Sequence, residues 1–395
     1  MVNIPAVVAF ASVFVLGICF SVIGSVKLKL AEVLQIDDAK VGGLISALMF
    51  CSLIAVLVIG PAMDKVGYMV IATLGFFLAG ICIWMLAGAK NYPSAFIACL
   101  LLGIGAMCVN TAGNVLGPTV LFGGENPAAA SNLLNVFFGI GAFITPLIAA
   151  ALLGRIGYSK TVAVIGAICF APIILALISS YPPAPPGFNV VRSISLIGEP
   201  GVLLGGICLL FYIGLEASMG GFITTYLKSH ELSDERANTV LSGFWICLMI
   251  ARLIAAFVLL GVPEAQRGVA IVLLSIIAAI ALGIMIGART PAHGVIGTLL
   301  AGLSFGPMFP TLVGVTFTKT AAIKQGITGS VFGWIFAIGL LGGIIIPALV
   351  GRYSAKLSIR QSISILLIVA ILLLVFASAL QWAVPITEVS TMIVE

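Results

Sequence analysis

Leu209-Leu210-Phe211-Tyr212-Ile213-Gly214-Leu215-Glu216-Ala217-Ser218-Met219-Gly220-Gly221-Phe222 is the centre of a run from Val202 to Lys228 in which Glu216 is the one charge before the closing lysine. The run is roughly 27 residues, and about 20 apolar residues suffice for a helix to cross a bilayer. Glu216 falls near its middle, where a carboxylate costs on the order of 3 kcal/mol. Two readings stay open. The carboxylate faces a central cavity and meets a hydroxylated substrate, a proton or an ion. Alternatively it is protonated or paired with an arginine and locks helices together.

Composition extends this reading to the whole chain. The 395 residues are 62% hydrophobic and 8% charged, with a mean hydropathy of +1.29; soluble domains carry about 25% charged residues. The apolar residues come in long segments rather than in the alternating pattern of a barrel strand. The chain therefore reads as an all-α integral membrane protein. Twelve spans are expected at about 4–26, 41–61, 69–88, 94–121, 128–153, 161–180, 200–227, 237–260, 268–287, 293–317, 326–350 and 360–384. A longer first outer loop interrupts otherwise short turns. Tyr181-Pro182-Pro183-Ala184-Pro185-Pro186-Gly187-Phe188 cannot continue a helix and opens an extended linker. It separates a six-span half, 1–180, from a linker, 181–199, and a second six-span half with a short tail, 200–395. The first apolar run has no basic region before it and is too long for a cleaved leader. No soluble domain is expected at either end.

Several functional classes drop out. No G-x-x-x-x-G-K-(S/T) loop is present, so ATP is not the expected energy source. No nucleophile–base arrangement suggests an enzyme. Cys19, Cys51, Cys82, Cys99, Cys108, Cys169, Cys208 and Cys247 lie within spans and lack metal-type spacing, so neither disulfides nor zinc are expected. His230 and His293 fall in outer turns and read as solvated. A six-plus-six plan with a central linker is that of transporters built from repeats, with the substrate site near the midplane. The 45 glycines, among them Gly333, Gly339, Gly342 and Gly343, suit close helix packing.

Gly60-Pro61-Ala62-Met63-Asp64-Lys65-Val66-Gly67-Tyr68 stands between spans two and three. It matches the G-x-x-x-D-(R/K)-x-G signature, so the chain resembles the major facilitator superfamily. That resemblance implies two pseudo-symmetric six-helix halves, with this loop, both termini and the linker cytoplasmic. Asp64 and Lys65 are then gating candidates. The distribution of Lys and Arg opposes this orientation: of 18, only Lys65, Arg192, Arg252, Arg267, Lys319 and Lys324 would face inward.

Further stretches are similar to the fucose–galactose–glucose:cation symporter branch. Tyr212-Ile213-Gly214-Leu215-Glu216-Ala217-Ser218-Met219-Gly220 is similar to its Y-V-G-A-E-V-S-I-G. Gly302-Leu303-Ser304-Phe305-Gly306-Pro307-Met308-Phe309-Pro310-Thr311 resembles G-x-x-x-S-x-M-F-P-T, and Gly342 to Gly351 resembles G-G-A-x-x-P-x-x-x-G. Asn110-Thr111-Ala112-Gly113-Asn114 and Asn132-Leu133-Leu134-Asn135-Val136-Phe137 resemble the branch's E-T-x-x-N-P and N-L-x-Q-x-F. The chain departs from the branch where Asn110 replaces a span-four glutamate, Ser25 stands for a span-one aspartate and Val115 replaces a proline. A carboxylate proton carrier in the membrane would then have to be Glu216.

The expected substrate-binding residues are Glu216, Asn110, Asn114, Asn132, Asn135, Tyr212, Trp245 and Trp334, with Glu216 also the ion-coupling residue. Asn110 and Asn114 are one helical turn apart, as are Asn132 and Asn135, so each pair can share a face. Neutral amides donate and accept without charging a cavity, and aromatic faces stack on the C–H side of a sugar ring. Arg252, toward the inner end of span eight, reads as a gating residue or a partner of another helix. Lys27 and Lys29 snorkel at the end of span one.

The reading as a whole is a secondary transporter of a small polar solute, foremost a monosaccharide, by alternating access with H+ or Na+ symport. It is expected as a monomer in the inner membrane with both termini cytoplasmic. No other cofactor, no metal and no nucleic acid is expected. The alternatives are a carrier of an organic anion, which the outer lysines would suit, an exporter, or a non-transporting sensor.

Overall fold

The computed structural model describes residues 3–183, 190–321, 327–354 and 359–385, and every regular element among them is helical. In hydrocarbon each backbone polar group must be satisfied within its own segment, which helices alone do without a closed barrel. In chain order the helices are α1 Ile4–Leu34, α2 Asp38–Val66, α3 Tyr68–Ala87, α4 Tyr92–Val120, α5 Pro127–Phe170, α6 Ile173–Ile178 and α7 Val190–Ser195. They continue with α8 Pro200–Lys228, α9 Asp234–Val258, α10 Arg267–Gly287, α11 Pro291–Phe305, α12 Met308–Lys319, α13 Thr328–Ser354 and α14 Ile359–Trp382.

Eleven stretches among the described residues are long and apolar enough to cross a membrane. One of them, Pro127–Ile178, has 52 residues, twice what a bilayer needs. It breaks at Gly157, whose φ of 77° lies in the left-handed region. Gly67, in the motif between α2 and α3, turns the chain with nearly the same backbone (φ 85°, ψ 173° against φ 77°, ψ 173°). Lys65-Val66-Gly67-Tyr68 and Arg155-Ile156-Gly157-Tyr158 are thus two uses of one tight turn, and the long stretch counts as two spans. Twelve spans result, as the hydropathy pattern predicts.

Local signals set the helix starts. Asp37, Asn91 and Ser233 accept from the backbone N–H of Lys40 (2.8 Å), Ser94 (3.0 Å) and Arg236 (3.4 Å), opening α2, α4 and α9. Two expectations need correction. The longer first outer loop is absent, because α1 runs on to Leu34 and ends in a left-handed Gln35. The extension keeps Leu30 and Leu34 buried and pairs Lys29 with Glu32 at 2.6 Å. The linker is not extended throughout either. Helix resumes at α7 and passes through a 3-10 turn, Leu196–Gly198, before Pro200 opens α8. Past the prolines nothing in Val190–Ser195 breaks a helix, and Ser193 is buried. Ala184 to Asn189, and Lys324 of the charge count, lie outside the described residues.

The chain forms two compact units. The first comprises Met1–Glu125, Leu134–Ser193 and Gly326–Gly333; the second comprises Asn126–Leu133, Ile194–Gln325 and Trp334–Glu395. In the first unit α1 and α5 cross at a reciprocal pair of glycines. A Cβ on Gly17 would run into the Phe138 carbonyl, and one on Gly141 into the Phe14 carbonyl. In the second, Gly342 of α13 approaches the Leu210 carbonyl of α8 as closely, with Gly214 of α8 against Ile346. Contact between backbones of this kind is how helices gain packing where lipid provides no hydrophobic drive. Gly17→Leu is expected to push α1 from α5 and destabilise the protein by roughly 1–3 kcal/mol. A wild-type melting temperature for the purified Gly17→Leu protein would contradict that crossing.

Candidate functional site

Glu216 lies mid-way along α8 in the second unit, one turn after Tyr212. Its carboxylate faces the Arg252 guanidinium of α9 at 3.4 Å, and the two side chains are 24% and 4% exposed. Arg252 also lies 3.4 Å from the Tyr212 hydroxyl, and its Nε donates to the Gly306 carbonyl at 2.7 Å. The sequence explains that last bond. In an unbroken helix the Gly306 carbonyl would accept from the residue four positions on, which is Pro310, and proline has no N–H. The chain is already broken between α11 and α12 at Gly306-Pro307. The orphaned carbonyl is satisfied by Arg252, which ties α9, the α11–α12 break and α8 together.

Of the two readings of Glu216, the arginine-paired arrangement is present. The partner is the arginine assigned to pairing or gating. The pair is not sealed, since Glu216 keeps about a quarter of its side chain open while Arg252 is enclosed. The Tyr212 hydroxyl also bonds the Glu216 carboxylate, so the acid, the base and the phenol form one cluster. Around it Tyr212 is fully buried, with ring centroids 6.4 Å from Phe305 and 6.3 Å from Phe309. Trp245 is the exposed aromatic of the group, packed on Phe244 at 5.1 Å and close to Gly220, one turn beyond Glu216. Trp334 is half-buried on α13.

The asparagines divide between the units. Asn110, Asn114 and Asn135 form a ladder in the first. The Asn114 amide donates to the Asn110 side-chain oxygen at 2.8 Å, and the Asn135 amide to that of Asn114 at 3.1 Å. Asn132 belongs to the second unit, where it donates to Thr311 of α12 at 2.9 Å. One turn of α5 thus separates Asn135, which bonds Asn114, from Asn132, which bonds Thr311. All four are buried, and the Asn132 Oδ1 finds no donor among the described residues. Ser25, where the branch resemblance places an aspartate, bonds back to the Ser21 carbonyl of its own helix at 2.8 Å.

Asp64 ends α2 and caps a helix distant in sequence. Its carboxylate accepts from the backbone N–H of Gly329 and of Ser330, each at 2.7 Å, and from the Ser330 hydroxyl at 2.6 Å. These are the first turns of α13, where N–H groups lack partners and an anion is favoured by the helix dipole. Gly60 and Gly329 permit the approach, for a Cβ on either would meet the carbonyl of the other. Lys65, next to Asp64, is exposed.

Residues that sequence reasoning missed include Thr311, Gly306, Ser330 and Asn126. The last caps α5 by accepting from the Ala129 N–H at 3.1 Å and donates to the Leu259 carbonyl at 2.8 Å. Only Gly306 left a signal, in the position of Pro310. Lys319 is likewise buried, donating to the Gln381 and Val384 carbonyls at 2.8 and 2.6 Å at the end of α14.

A bundle of twelve apolar spans with an ion pair and amide clusters at membrane depth is the construction of a multi-pass membrane carrier of small molecules. The comparisons give it a family. The model of the Major Facilitator Superfamily matches residues 9–327, and the chain belongs to that superfamily of transporters. A relative from Helicobacter pylori, a "Putative glucose/galactose transporter", is 24% identical over 331 residues, covering 77% of this chain and 78% of its own. A "Protein TsgA homolog" of Serratia proteamaculans is 26% identical over 294 residues, 71% of each. Among solved structures, the transporter FucP in the outward conformation superposes with a TM-score of 0.79 at 18% identity, covering 95% of this chain and 98% of that one. The human organic anion transporter MFSD10 gives 0.70 at 12% identity, covering 95% and 99%. At these identities both structures are similar in fold alone.

Proposed function

We propose that this protein is a secondary transporter of a monosaccharide, driven by cation symport, with Glu216 as the residue at which substrate and coupling ion meet. The observation that carries the proposal is a carboxylate in mid-span, held by Arg252 and the Tyr212 hydroxyl, that still keeps about a quarter of its side chain exposed. A proton or a sugar hydroxyl reaching the exposed part weakens the hold on Arg252. Binding is thereby linked to the three elements that Arg252 joins, which is what coupling requires. The glucose/galactose names of the relatives favour a hexose over an organic anion. So does the composition of the polar clusters: neutral amides, with the enclosed Arg252 already neutralised by Glu216.

Asn110, Asn114 and Asn135 of the first unit and Asn132, Trp245 and Trp334 of the second are the proposed substrate contacts besides Glu216, with Tyr212 holding the ion pair. Asp64 is the proposed gate, since its three bonds must break for α2 and the start of α13 to part. Lys65 extends that gate as the charge at the helix end, and Arg252 acts as the second gating residue. The protein is proposed to work as a monomer in the inner membrane, with both termini cytoplasmic as the motif implies.

The test is counterflow of labelled glucose, galactose and fucose in proteoliposomes. Wild type should exchange at least one of them, and Glu216→Gln should retain exchange while losing accumulation driven by a proton gradient. Exchange of an organic anion with none of any sugar would refute the sugar reading. Accumulation that follows sodium alone would remove Glu216 as the proton carrier.

A further inference from the structure

The outer surface of the first unit carries a groove that neither the transport site nor the gate uses. It has a volume of about 400 Å³ and lies between α3 and α6, lined by Val70, Thr73, Leu74 and Phe77 on one side and Ile173 and Leu177 on the other. It exists because Ala171-Pro172 breaks the chain after Phe170, setting α6 off from the line of α5. Both walls belong to membrane-spanning stretches, and Val70, Leu74, Phe77 and Leu177 are 42–55% exposed. Its surroundings in the cell are therefore hydrocarbon.

We propose that the groove is a binding site for one phospholipid of the leaflet that meets the α2–α3 turn. Three observations fix the occupant. The first is length. From Met69 to Phe77 the groove runs eight residues, about 12 Å at 1.5 Å per residue, close to one leaflet's share, about 15 Å, of the hydrocarbon core. Beyond that point the Phe170 ring closes it, 6.0 Å from Phe77 and 4.7 Å from Trp84. An acyl chain of one leaflet fits; a groove for a partner helix would continue along the span.

The second observation is polarity. Thr73 lines the groove, and its buried hydroxyl has no hydrogen-bond partner among the described residues. It sits five residues, about 7.5 Å, from the start of α3, and a turn about χ1 brings it to the groove as a donor. An acyl ester supplies carbonyl acceptors near that depth, which a bare hydrocarbon does not. The third is the mouth of the groove. Tyr68 and Tyr181 stack there with centroids 6.2 Å apart, the placement of aromatic rings at a headgroup boundary. Exposed Lys65 stands three positions before Tyr68, a cation for the lipid phosphate and for an anionic headgroup. Occupancy would brace α3 against α6 at the end of the unit where Asp64 holds α13.

The experiment uses full-length protein in nanodiscs doped with a phospholipid bearing a photoactivatable group on its acyl chain. After illumination the labelled peptides are mapped by mass spectrometry. Label on 69–77 and 173–177 should exceed that on the exposed α10 face around Leu273 and Ile280 by at least fivefold. Leu177→Trp, which fills the groove at an exposed position, should remove the excess. Phosphatidylglycerol should compete more strongly than phosphatidylethanolamine, and Lys65→Gln should abolish that difference. Even labelling of all lipid-facing helices, or an excess that survives Leu177→Trp, would overturn the site. Equal competition by free palmitate would overturn the assignment to phospholipid.

Discussion

Glu216→Ala is expected to lower stability by roughly 3 kcal/mol and to abolish sugar accumulation. The alanine leaves Arg252 enclosed with a carbonyl and a hydroxyl but no counter-charge, and removing one partner of a buried pair costs about 3–5 kcal/mol. Glu216 is 24% exposed, so the lower end applies. Arg252→Met should be comparably severe, because it strands both the carboxylate and the Gly306 carbonyl that Pro310 leaves without a donor. The informative protein is the double variant, Glu216→Leu with Arg252→Met. Replacing both charges by apolar groups of similar size is often neutral, and the Gly306 carbonyl and the Tyr212 hydroxyl lose Arg252 as they do in Arg252→Met, but with no lone charge left beside them. The double variant should therefore be more stable than either single one, and still fail to accumulate sugar. Thermal unfolding in detergent reads the first outcome and gradient-driven uptake the second. Additive losses in the double variant would show that the two residues are not energetically coupled.

Asp64→Ala is expected to release the first turn of α13. Three bonds to one carboxylate are lost together, and bonds to a charged group contribute about 1.5–3 kcal/mol each before losses overlap. A net change of about 2 kcal/mol alters the balance between capped and uncapped forms roughly thirtyfold. Ser330→Ala removes one of the three and should move the balance about fivefold. Asp64→Asn should fall between them, since its amide nitrogen presents a donor to a donor. Hydrogen exchange of the peptide beginning at Ile327 is the measurement, with faster exchange at Gly329 and Ser330 expected in the order Ala, Asn, then Ser330→Ala. Unchanged protection in Asp64→Ala would remove the cap as a gate. Turnover should change as well, because a gate that never closes cannot complete a cycle.

These two sites differ in how much of each was legible in the sequence. The span around Glu216 and the cost of its charge could be read from a single stretch, and so could the turn at Gly67. The partners could not. Glu216 and Arg252 are 36 residues apart, Asn132 and Thr311 179, and Asp64 and Gly329 265. The asparagines show the same limit. Periodicity correctly puts Asn132 and Asn135 one turn apart, yet Asn135 meets Asn114 and Asn132 meets Thr311. A turn of helix separates two neighbours that different helices claim. The run past Lys29 was misread for a related reason: Lys and Glu near an interface look like a loop in hydropathy, but an i,i+3 pair and buried leucines continue the helix through them.

The amino-acid sequence by itself determined that the chain enters a membrane and that it crosses twelve times. These follow from a local quantity, hydropathy over a span. It also singled out Glu216, because the cost of a charge in hydrocarbon depends only on depth. The tertiary structure alone decided which helix answers each polar group. Lipid tails are as apolar as leucine, so hydrophobicity specifies insertion but not neighbours. The choice of Arg252 for Glu216, and of α13 for Asp64, rests on backbone approach at glycines and on orphaned groups at helix breaks. Those features exist only once the helices have packed.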